Sequence, residues 1–409
     1  MFREVHGQAV ATLVRVFGDI TVAEDAVQDA FVVASDRWPD DGIPPNPAGW
    51  IVTTARNRAI DVLRRSARGR ELYEQLGAEA STSPGPGADD GKPSGSSGED
   101  GPVSDDRLRL MFTCCHPALR SEHQVALTLR LLGGLSVAEV ARSFLVSEPA
   151  MAKRLVRAKY KIKAAKIPYR VPADADLPER LRSVLSVVYL IYNTGVDDAE
   201  RAALRAEAVR LARALVELMP DEPEAAGLLA LMLLCESRVP ARTAEGALVL
   251  LRDQDRAKWD RTMIEEGHAI VRACIRRNQP GPYQLQAAIQ AVHCNADKFE
   301  ATDWQQIVTL YDQLFSIMPT PVIALNRAIA IGEVQGPGAA LAALDAVASD
   351  LDNYHLMHAA RGTTLRSLGQ SDAARAAYER AADLAATEAD RQLLSQQMEE
   401  LAEGGRSAP

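Results

Sequence analysis

The feature that most constrains the fold is a stretch at residues 81–104 built almost entirely from Gly, Ser, Pro and Asp. Such a stretch buries too little apolar surface to offset the entropy lost on ordering, so it predicts a flexible linker over residues 77–104. A second interruption follows at Pro168, Pro172 and Pro178, because closely spaced prolines end helical periodicity. The sequence therefore predicts three parts, at residues 1–76, 105–168 and 177–404.

The composition favours helices in all three parts. Aromatic residues make up only 5% of the chain, whereas Ala, Leu and Arg, which lose little freedom in a helix, are abundant. No apolar run reaches the roughly 18 residues that span a bilayer, and the N-terminus has no signal-like stretch. The five cysteines are scattered and do not form a disulfide framework. We expect an all-α protein of the cytoplasm with no membrane contact.

The first part reads as a helical bundle. Thr21 is placed to cap a helix, with Glu24 at the third position of a capping box. Residues 36–47, rich in Pro and Asp, predict a loop. Residues 48–70 then predict a long helix that ends very basic.

The second part holds the most specific local pattern. Gly133 and Gly134 end one helix, and Ser136 with Glu139 forms a capping box for a short second one. After a tight connection, Ser147 is placed to cap a further helix, whose inward positions are Met151, Leu155, Val156 and Ala158. Two short helices joined by a tight turn, the second one basic, predict a helix-turn-helix.

Charge is distributed unevenly along the chain. The formal net charge is −9, yet residues 1–170 carry a net +2 and residues 171–409 a net −11. Eight basic residues and no acid lie between Pro149 and Arg170, and six arginines with one acid lie between Arg56 and Arg70. Clusters of this kind are typical of phosphate contact, although a single cluster is more often a solvated helix face.

The third part contains a repeat. A pattern of small, small, large and small side chains occurs twice, 34 residues apart. The first copy is Ala328, Ala340, Leu344 and Val347, and the second is Gly362, Ala374, Tyr378 and Ala381. A 34-residue period is that of tetratricopeptide repeats, in which small residues let paired helices approach and a large one fills the groove. Pro220 and Pro319, about three periods apart, each follow a predicted helix end. The sequence predicts a helical-repeat domain.

Three motifs, in this order and spacing, carry a family resemblance. They are AEDAVQDAF at residues 23–31, PAGWI through ARNRAIDVLRR at residues 47–65, and LSVAEVA through VRA at residues 135–158. The chain resembles the extracytoplasmic-function sigma factors, the smallest branch of the sigma-70 family, over about residues 1–168. Residues 177–404 look like the tetratricopeptide-type extension of one sigma subgroup. The resemblance implies a transcription-initiation factor that binds core RNA polymerase and promoter DNA.

The resemblance also implies roles for individual residues. It assigns contact with the clamp of core polymerase to a helix face formed by the acidic Asp25 and Asp29 and the amide Gln28. It assigns the −10 promoter element to the long helix and the loop before it, through Trp50, Arg56, Asn57, Asp61, Arg64 and Arg65. Asp61 serves equally well as an internal partner for Arg64 or Arg65. It assigns the −35 element to the basic helix, through Ser147, Glu148, Lys153, Arg154, Arg157, Lys159 and Lys161. The linker is long and acidic for this family, which leaves its path open.

Several alternatives stay open on the sequence alone. The adjacent Cys114, Cys115 and His116 suggest a metal site, but zinc ligands need a second converging pair, so buried helix cysteines are favoured. The pattern shows no P-loop, HExxH or GxSxG motif, and we expect no catalytic residue, cofactor or metal. The runner-up function is a helix-turn-helix regulator with a ligand- or peptide-sensing repeat domain that does not bind polymerase. The acidic repeat domain either occludes the basic helix or binds a separate protein partner, and the second is favoured.

Overall fold

In the computed structural model of this chain, residues 2–78, 106–144, 146–194, 202–244, 247–385 and 387–404 are described. They fold into two compact units, residues 1–194 and 195–409. Helices dominate both units, and the strands among the described residues are confined to one short hairpin in the second. The all-α prediction is confirmed. The predicted linker, from residue 79 onward, lies outside the described residues.

The first unit contains eight α-helices among its described residues and one π-helical segment. The helices are α1 (Phe2–Phe17), α2 (Ile20–Asp41), α3 (Pro47–Ala78), α4 (Asp106–Cys114), α5 (Ser121–Leu127), α6 (Val137–Ser143), α7 (Glu148–Ala164) and α8 (Leu177–Thr194), with the π-helical segment Thr128–Leu132 following α5. Helix α1 packs against α2 and α3 of the first predicted part and against α4 and the π-helical segment of the second. The first and second predicted parts therefore share one core.

The start of α2 differs from the prediction. The N-cap is Asp19, whose carboxylate accepts hydrogen bonds from the backbone N–H groups of Thr21 at 2.8 Å and Val22 at 3.3 Å. The predicted Thr21–Glu24 capping box is wrong, because Asp19 already satisfies the open N–H groups of the first turn. Glu24 can therefore turn into the protein.

The predicted loop at residues 36–47 is also mostly wrong, because α2 continues to Asp41 and only residues 42–46 lie outside a helix. Pro39 lies in the last turn, where its missing N–H costs a single backbone bond. The indole of Trp38 packs edge-on against Trp50 with 5.5 Å between ring centroids, which stabilises the extra helical turn. Gly42, at φ 82°, then ends the helix by donating to the Trp38 carbonyl.

The helix-turn-helix is confirmed. Gly134 adopts φ 66° after the π-helical segment, a conformation that favours glycine. Ser136 accepts from the Glu139 N–H at 3.2 Å, and the Glu139 carboxylate accepts from the Ser136 N–H at 2.7 Å, as a capping box requires. Met151, Leu155 and Ala158 are buried, but Val156 is 62% exposed, so its predicted inward position is wrong. Val156 lies one residue past the buried stripe, on the solvent side of α7.

Helix α8 belongs with the first unit, although the sequence places residues 177–194 in the third part. It packs against α4 and α5. Arg180 donates from Nη2 to the Phe112 carbonyl at 2.6 Å, and Leu181, Val184, Leu185 and Val188 are buried. An apolar stripe of this width needs a partner surface, which α4 and α5 supply.

The second unit is a succession of helices that pack mainly on their neighbours in sequence. Its described elements are α9 (Ala202–Leu218), α10 (Pro223–Glu236), a hairpin of β1 (Thr243–Ala244) and β2 (Ala247–Leu248), α11 (Arg261–Arg277), α12 (Pro282–Asn295), α13 (Trp304–Ile317), α14 (Pro321–Gln335), α15 (Pro337–Asp345), α16 (His355–Ser367), α17 (Ser371–Leu384) and α18 (Glu388–Gly404). The two strands are antiparallel, with Thr243 opposite Leu248. Helices α9 and α13 end just before Pro220 and Pro319, as predicted.

The 34-residue period corresponds to two successive helix pairs, α14 with α15 and α16 with α17. Ala328, Ala340 and Leu344 are buried in the first pair, and Ala374, Tyr378 and Ala381 in the second, whereas Val347 lies just past α15. A Cβ on Gly362 would lie 2.7 Å from the Tyr378 ring, so only glycine permits this approach. The small and large positions of the repeat thus have the packing roles predicted for them.

This packing predicts that Gly362→Ala destabilises the second unit by about 1–3 kcal/mol, because the new methyl group must displace the buried Tyr378 ring. Gly338→Ala is the matched control, since Gly338 is also helical and a methyl group added there would have no neighbouring atom within 4 Å. The control should be neutral or slightly stabilising. Urea unfolding of both variants measures the difference, and equal midpoints would contradict this packing.

Candidate nucleic-acid interface

The basic helix α7 presents one exposed cationic stripe. Lys153, Arg157 and Lys161 recur every four residues and are all exposed, so they share one face of the helix. Ser147 is the N-cap residue, although its side chain makes no capping hydrogen bond, and Glu148 lies exposed in the first turn. The N-terminal residues of such a helix are those that reach base edges when it enters a major groove.

Arg154 differs from the rest of the basic set because it is half-buried. Its Nη1 atom lies 3.6 Å from the Glu122 carboxylate, and its guanidinium lies 5.2 Å from the centre of the Phe144 ring. Both contacts restrict the side chain to one direction, so less entropy is lost when it forms a hydrogen bond to a base. The arrangement favours Arg154 as a positioned donor.

Helix α3 carries a second polar surface. Arg56, Asn57, Asp61 and Arg64 are exposed, opposite the buried Ile51, Ala55 and Ala59. Trp50 is half-buried against Trp38 at the start of the helix. The Arg65 side chain lies outside the described residues, so the pairing of Asp61 with Arg65 stays an expectation.

The acidic and amide face of α2 is exposed only in part. Asp25 and Asp29 are exposed, whereas Gln28 is half-buried and donates from Nε2 to Glu24 Oε1 at 3.1 Å. Burial raises the pKa of Asp25, and Glu24 and Asp29 raise it further, against the lowering effect of Lys159 and Arg130. The face is therefore directly coupled to charges from the helix-turn-helix part.

A buried ion cluster centred on Glu24 joins α2 to that part. Glu24 is 5% exposed, and its carboxylate accepts from Arg130 Nε at 2.6 Å and from Lys159 Nζ at 3.0 Å. Arg130 also donates to the Leu135 carbonyl at 2.7 Å. Burial raises the pKa of Glu24, but the charges of Lys159 and Arg130 outweigh it and hold the pKa below its ordinary value. Glu24 is therefore ionised within this cluster.

Sequence reasoning misses this cluster. From the sequence, Glu24 is predicted to take part in a capping box and Lys159 to contact DNA, and no role is predicted for Arg130. One signal is present: Arg130 interrupts the apolar run from Leu127 to Leu132, and a charge in a buried run needs a charged partner. That partner lies 106 residues away in sequence, beyond the reach of local pattern.

The adjacent cysteines lie in the core of the first unit. Cys114 and Cys115 are buried, burial raises the pKa of both thiols, and Cys115 Sγ lies 3.6 Å from Thr128 Oγ1. Within the part of the chain that the structure describes, no group of three or more His, Cys, Asp or Glu residues could hold a metal ion. Nor does any helix in those ranges have the length and apolarity needed to cross a membrane.

The second unit carries a groove between α11, α12 and α13 with a volume of about 410 Å³. Its apolar floor includes Val271, Leu285 and Leu310. Seven carboxamide or guanidinium side chains also line it: Arg272, Asn278, Gln279, Gln284, Asn295, Gln306 and Gln313. Among the described residues, no carboxylate lines the groove, although this unit belongs to the acidic part of the chain.

Comparison with known families matches residues 1–69 to sigma-70 region 2 and residues 109–162 to sigma-70 region 4. Residues 180–275 match DUF6596, a family of unknown function. An uncharacterized protein of Rhizobium meliloti (strain 1021) is 42% identical over 403 residues, covering 97% of this chain and 93% of that relative. The crystal structure of yeast Tom70 aligns at a TM-score of 0.36 and 10% identity, over 97% of this chain and 85% of that one. The first two matches contain the α2–α3 surface and the helix-turn-helix.

The Glu24 cluster predicts a pH-dependent stability difference between the native protein and Glu24→Gln. A carboxylate whose folded pKa is lowered contributes stability above its unfolded pKa, near 4.5, and loses it as the pH falls through the folded value. At pH 7 the variant should lose on the order of 3 kcal/mol, because Arg130 and Lys159 lose their counter-charge. Below pH 4.5 the difference should shrink.

Hydrogen exchange of α2 amides across this pH range measures the difference for the first unit alone. Asp25→Asn is the matched control. The pKa of Asp25 is raised in the folded protein, so its charged form does not stabilise the fold. The substitution should cause no loss at pH 7. A Glu24→Gln difference that is independent of pH would rule out an ionised Glu24.

Proposed function

We propose that this chain, which belongs to the sigma-70 family of sigma factors and carries an additional C-terminal domain, is an alternative sigma factor of the extracytoplasmic-function type. A sigma factor recognises promoters together with RNA polymerase, and the region 2 and region 4 matches support that role here. The work of such a factor is binding, so we propose that the chain itself catalyses no reaction. Its direct partners are then core polymerase and promoter DNA.

One observation carries the proposal: α2 exposes the acidic residues Asp25 and Asp29, and α3 and α7 each expose a polar surface. The three surfaces follow one another along the chain in the order of the matched sigma-70 regions. In this assignment, α7 contacts the −35 element through Lys153, Arg154 and Arg157. Helix α3 contacts the −10 element through Arg56, Asn57 and Arg64. Both use Arg side chains, which fork onto base edges or phosphates, and α3 adds Asn57, whose carboxamide can pair with an adenine edge.

The runner-up, a helix-turn-helix regulator that works without polymerase, explains less of the structure. Such a regulator needs α6 and α7, but it has no use for the α3 surface or the exposed acids of α2. The match of residues 1–69 to sigma-70 region 2 favours the sigma factor.

We further propose that the C-terminal domain binds a protein partner through its groove. The carboxamides of Asn278, Asn295, Gln306 and Gln313 each offer a donor and an acceptor, which fits the N–H and C=O groups of an extended peptide. Stacked helical repeats commonly bind partners along such surfaces. Arg272, in a groove whose described lining holds no carboxylate, favours a peptide that carries an acidic group.

The proposed function predicts that the purified protein associates with core polymerase and produces run-off transcripts from genomic fragments. Replacing Asp25 and Asp29 together by Ala should weaken this association by about tenfold, or about 1.4 kcal/mol, because both carboxylates are exposed and available to a basic partner. Asp36→Ala, an exposed acid further along α2, is the matched control and should bind normally. Unchanged association of the double variant in a core-binding titration would remove this face from the interface.

The α7 surface predicts two distinct responses to substitution. Arg154→Ala should relax base preference in the −35 element at a cost of about 1–3 kcal/mol. Lys161→Ala should weaken binding evenly across sequences and lower the salt slope by about one, because an exposed lysine meets phosphate. Binding selections on randomised −35 sequences distinguish the two, and the reverse pattern would mean that α7 lies differently in the groove.

A further inference from the structure

Helices α10 and α12 of the second unit pack closely along their length. Near their N-terminal ends, a Cβ on Gly227 would lie 2.7 Å from the backbone nitrogen of Gln284, so the two backbones nearly touch. Near their C-terminal ends, the Cys294 thiol of α12 donates to the Leu234 carbonyl of α10 at 3.8 Å. The residue that follows Leu234 is Cys235. The packing therefore places one cysteine from each helix at the same end of the pair.

The two thiols differ in their access to solvent. Cys294 is 3% exposed, whereas Cys235 is only half-buried and can meet a small solute. Burial raises the pKa of the Cys294 thiol, and the charges of Arg238 and Arg256 offset this only in part. The inner thiol therefore keeps its proton at neutral pH, and an oxidant from solvent meets Cys235 first.

A guanidinium lies beside the outer thiol. Arg238 donates from Nη2 to Cys235 Sγ at 3.8 Å and to the uncharged Gln290 side chain at 2.5 Å. Gln290 lies one turn before Cys294 in α12, so Arg238 links the two helices where their cysteines lie. Reactive cysteines occur in electropositive, partly exposed surroundings of this kind, because a nearby cation stabilises the thiolate that attacks an oxidant.

A second guanidinium adds to the positive charge of this place. Arg256 is 7% exposed and donates to two backbone carbonyl groups, each at 2.7 Å. Glu300 and Asp297 act on its charge, but among the described residues no carboxylate forms an ion pair with Arg238 or Arg256. The guanidinium carbons of Arg238 and Arg256 lie 5.9 Å and 4.6 Å from the centre of the Trp259 ring. The two cations therefore share one place, where a thiolate would balance part of their charge.

We propose that Cys235 and Cys294 are a redox pair that forms a reversible disulfide within the chain when it meets hydrogen peroxide. The Cys235 thiolate attacks one peroxide oxygen, the O–O bond breaks, and the displaced hydroxide takes up a proton and leaves as water. Cys235 is then a sulfenic acid. The Cys294 sulfur attacks the Cys235 sulfur, the S–O bond breaks, and the hydroxyl group leaves with the Cys294 proton as a second water. Two thiols are oxidised, one peroxide is reduced, and a dithiol reverses the bond by exchange.

The disulfide ties α10 to the helix that forms the floor of the groove. A disulfide needs Cα atoms roughly 4.4–6.8 Å apart, which neighbouring helices reach only where their backbones approach closely, as α10 and α12 do. Leu285 and Ala288 of α12 line the groove, and so does Asn295, the residue after Cys294. An effect of oxidation on a bound peptide rests on the proposed function of the groove, whereas the disulfide itself does not.

The test treats the reduced full chain with a small molar excess of hydrogen peroxide. Digestion without reductant should give one cross-linked peptide that contains Cys235 and Cys294, lighter by two hydrogen atoms than the two free peptides together. Dithiothreitol should restore the free peptides. Hydrogen exchange of α12 should slow in the oxidised protein, because the bond closes a loop of about 60 residues and restrains the opening of this helix pair.

Matched variants separate the roles of the residues. Cys294→Ala should leave a sulfenic acid on Cys235 that dimedone traps, and Cys235→Ser should abolish both the trapped adduct and the cross-link. Arg238→Gln should slow cross-linking several-fold, whereas Arg375→Gln, at an exposed position of α17, should react at the native rate. Cys274→Ser should leave the cross-link unchanged. Circular dichroism checks folding, and the half-buried Cys235→Ser covers the case in which Cys294→Ala does not fold.

Three results would overturn the proposal. Peroxide treatment that leaves Cys235 and Cys294 as free thiols would mean that they are not a redox pair. A cross-link through other cysteines, or between two chains, would mean that α10 and α12 do not bring this pair together. Equal rates for Arg238→Gln and Arg375→Gln would remove the guanidinium from the reaction. None of these measurements uses polymerase, DNA or a peptide, so failure of the sigma-factor role or of peptide binding is a separate result.

Discussion

The first unit depends on the pairing of one buried carboxylate with two cations. Glu24 is ionised in the interior, where an isolated charge would be too costly, so it requires Arg130 and Lys159. Those partners come from the π-helical segment and from α7, and their positions fix α7 relative to α2. The apolar packing of α1 against α4 brings the regions together, while the Glu24 cluster selects one register between them. Removal of that charge leaves the buried Arg130 and the half-buried Lys159 without this counter-charge.

The two units present different surfaces. The first carries both sigma-70 matches, the exposed cationic stripe of α7 and the acidic face of α2. The second is built from helix pairs with close approaches such as Gly362 on Tyr378, and it offers a groove rimmed by carboxamides. Its net negative charge makes DNA an unfavourable partner for this unit.

Local chemistry is readable from the sequence, and long-range pairing is not. Ser136 and Glu139 identify the helix-turn-helix because a capping box is complete within four residues, and the 34-residue spacing predicts the α14–α17 pairs. The end of α2 escapes prediction because Trp38 packs on Trp50 across the turn. The burial of Lys159 depends on α2, which lies more than 100 residues earlier in the chain. Residue periodicity carries no information about such contacts.

The most direct test of the packing between the two sigma regions is a distance measurement in the free protein. Nitroxide labels at Gln8→Cys in α1 and Ala150→Cys in α7 lie on exposed positions of the two regions, with the protein carrying only its native cysteines as the background control. Pulsed electron paramagnetic resonance of the free protein should give one narrow distance distribution, because the Glu24 cluster fixes α7 relative to α2. A broad distribution would contradict a single packed arrangement of the first unit.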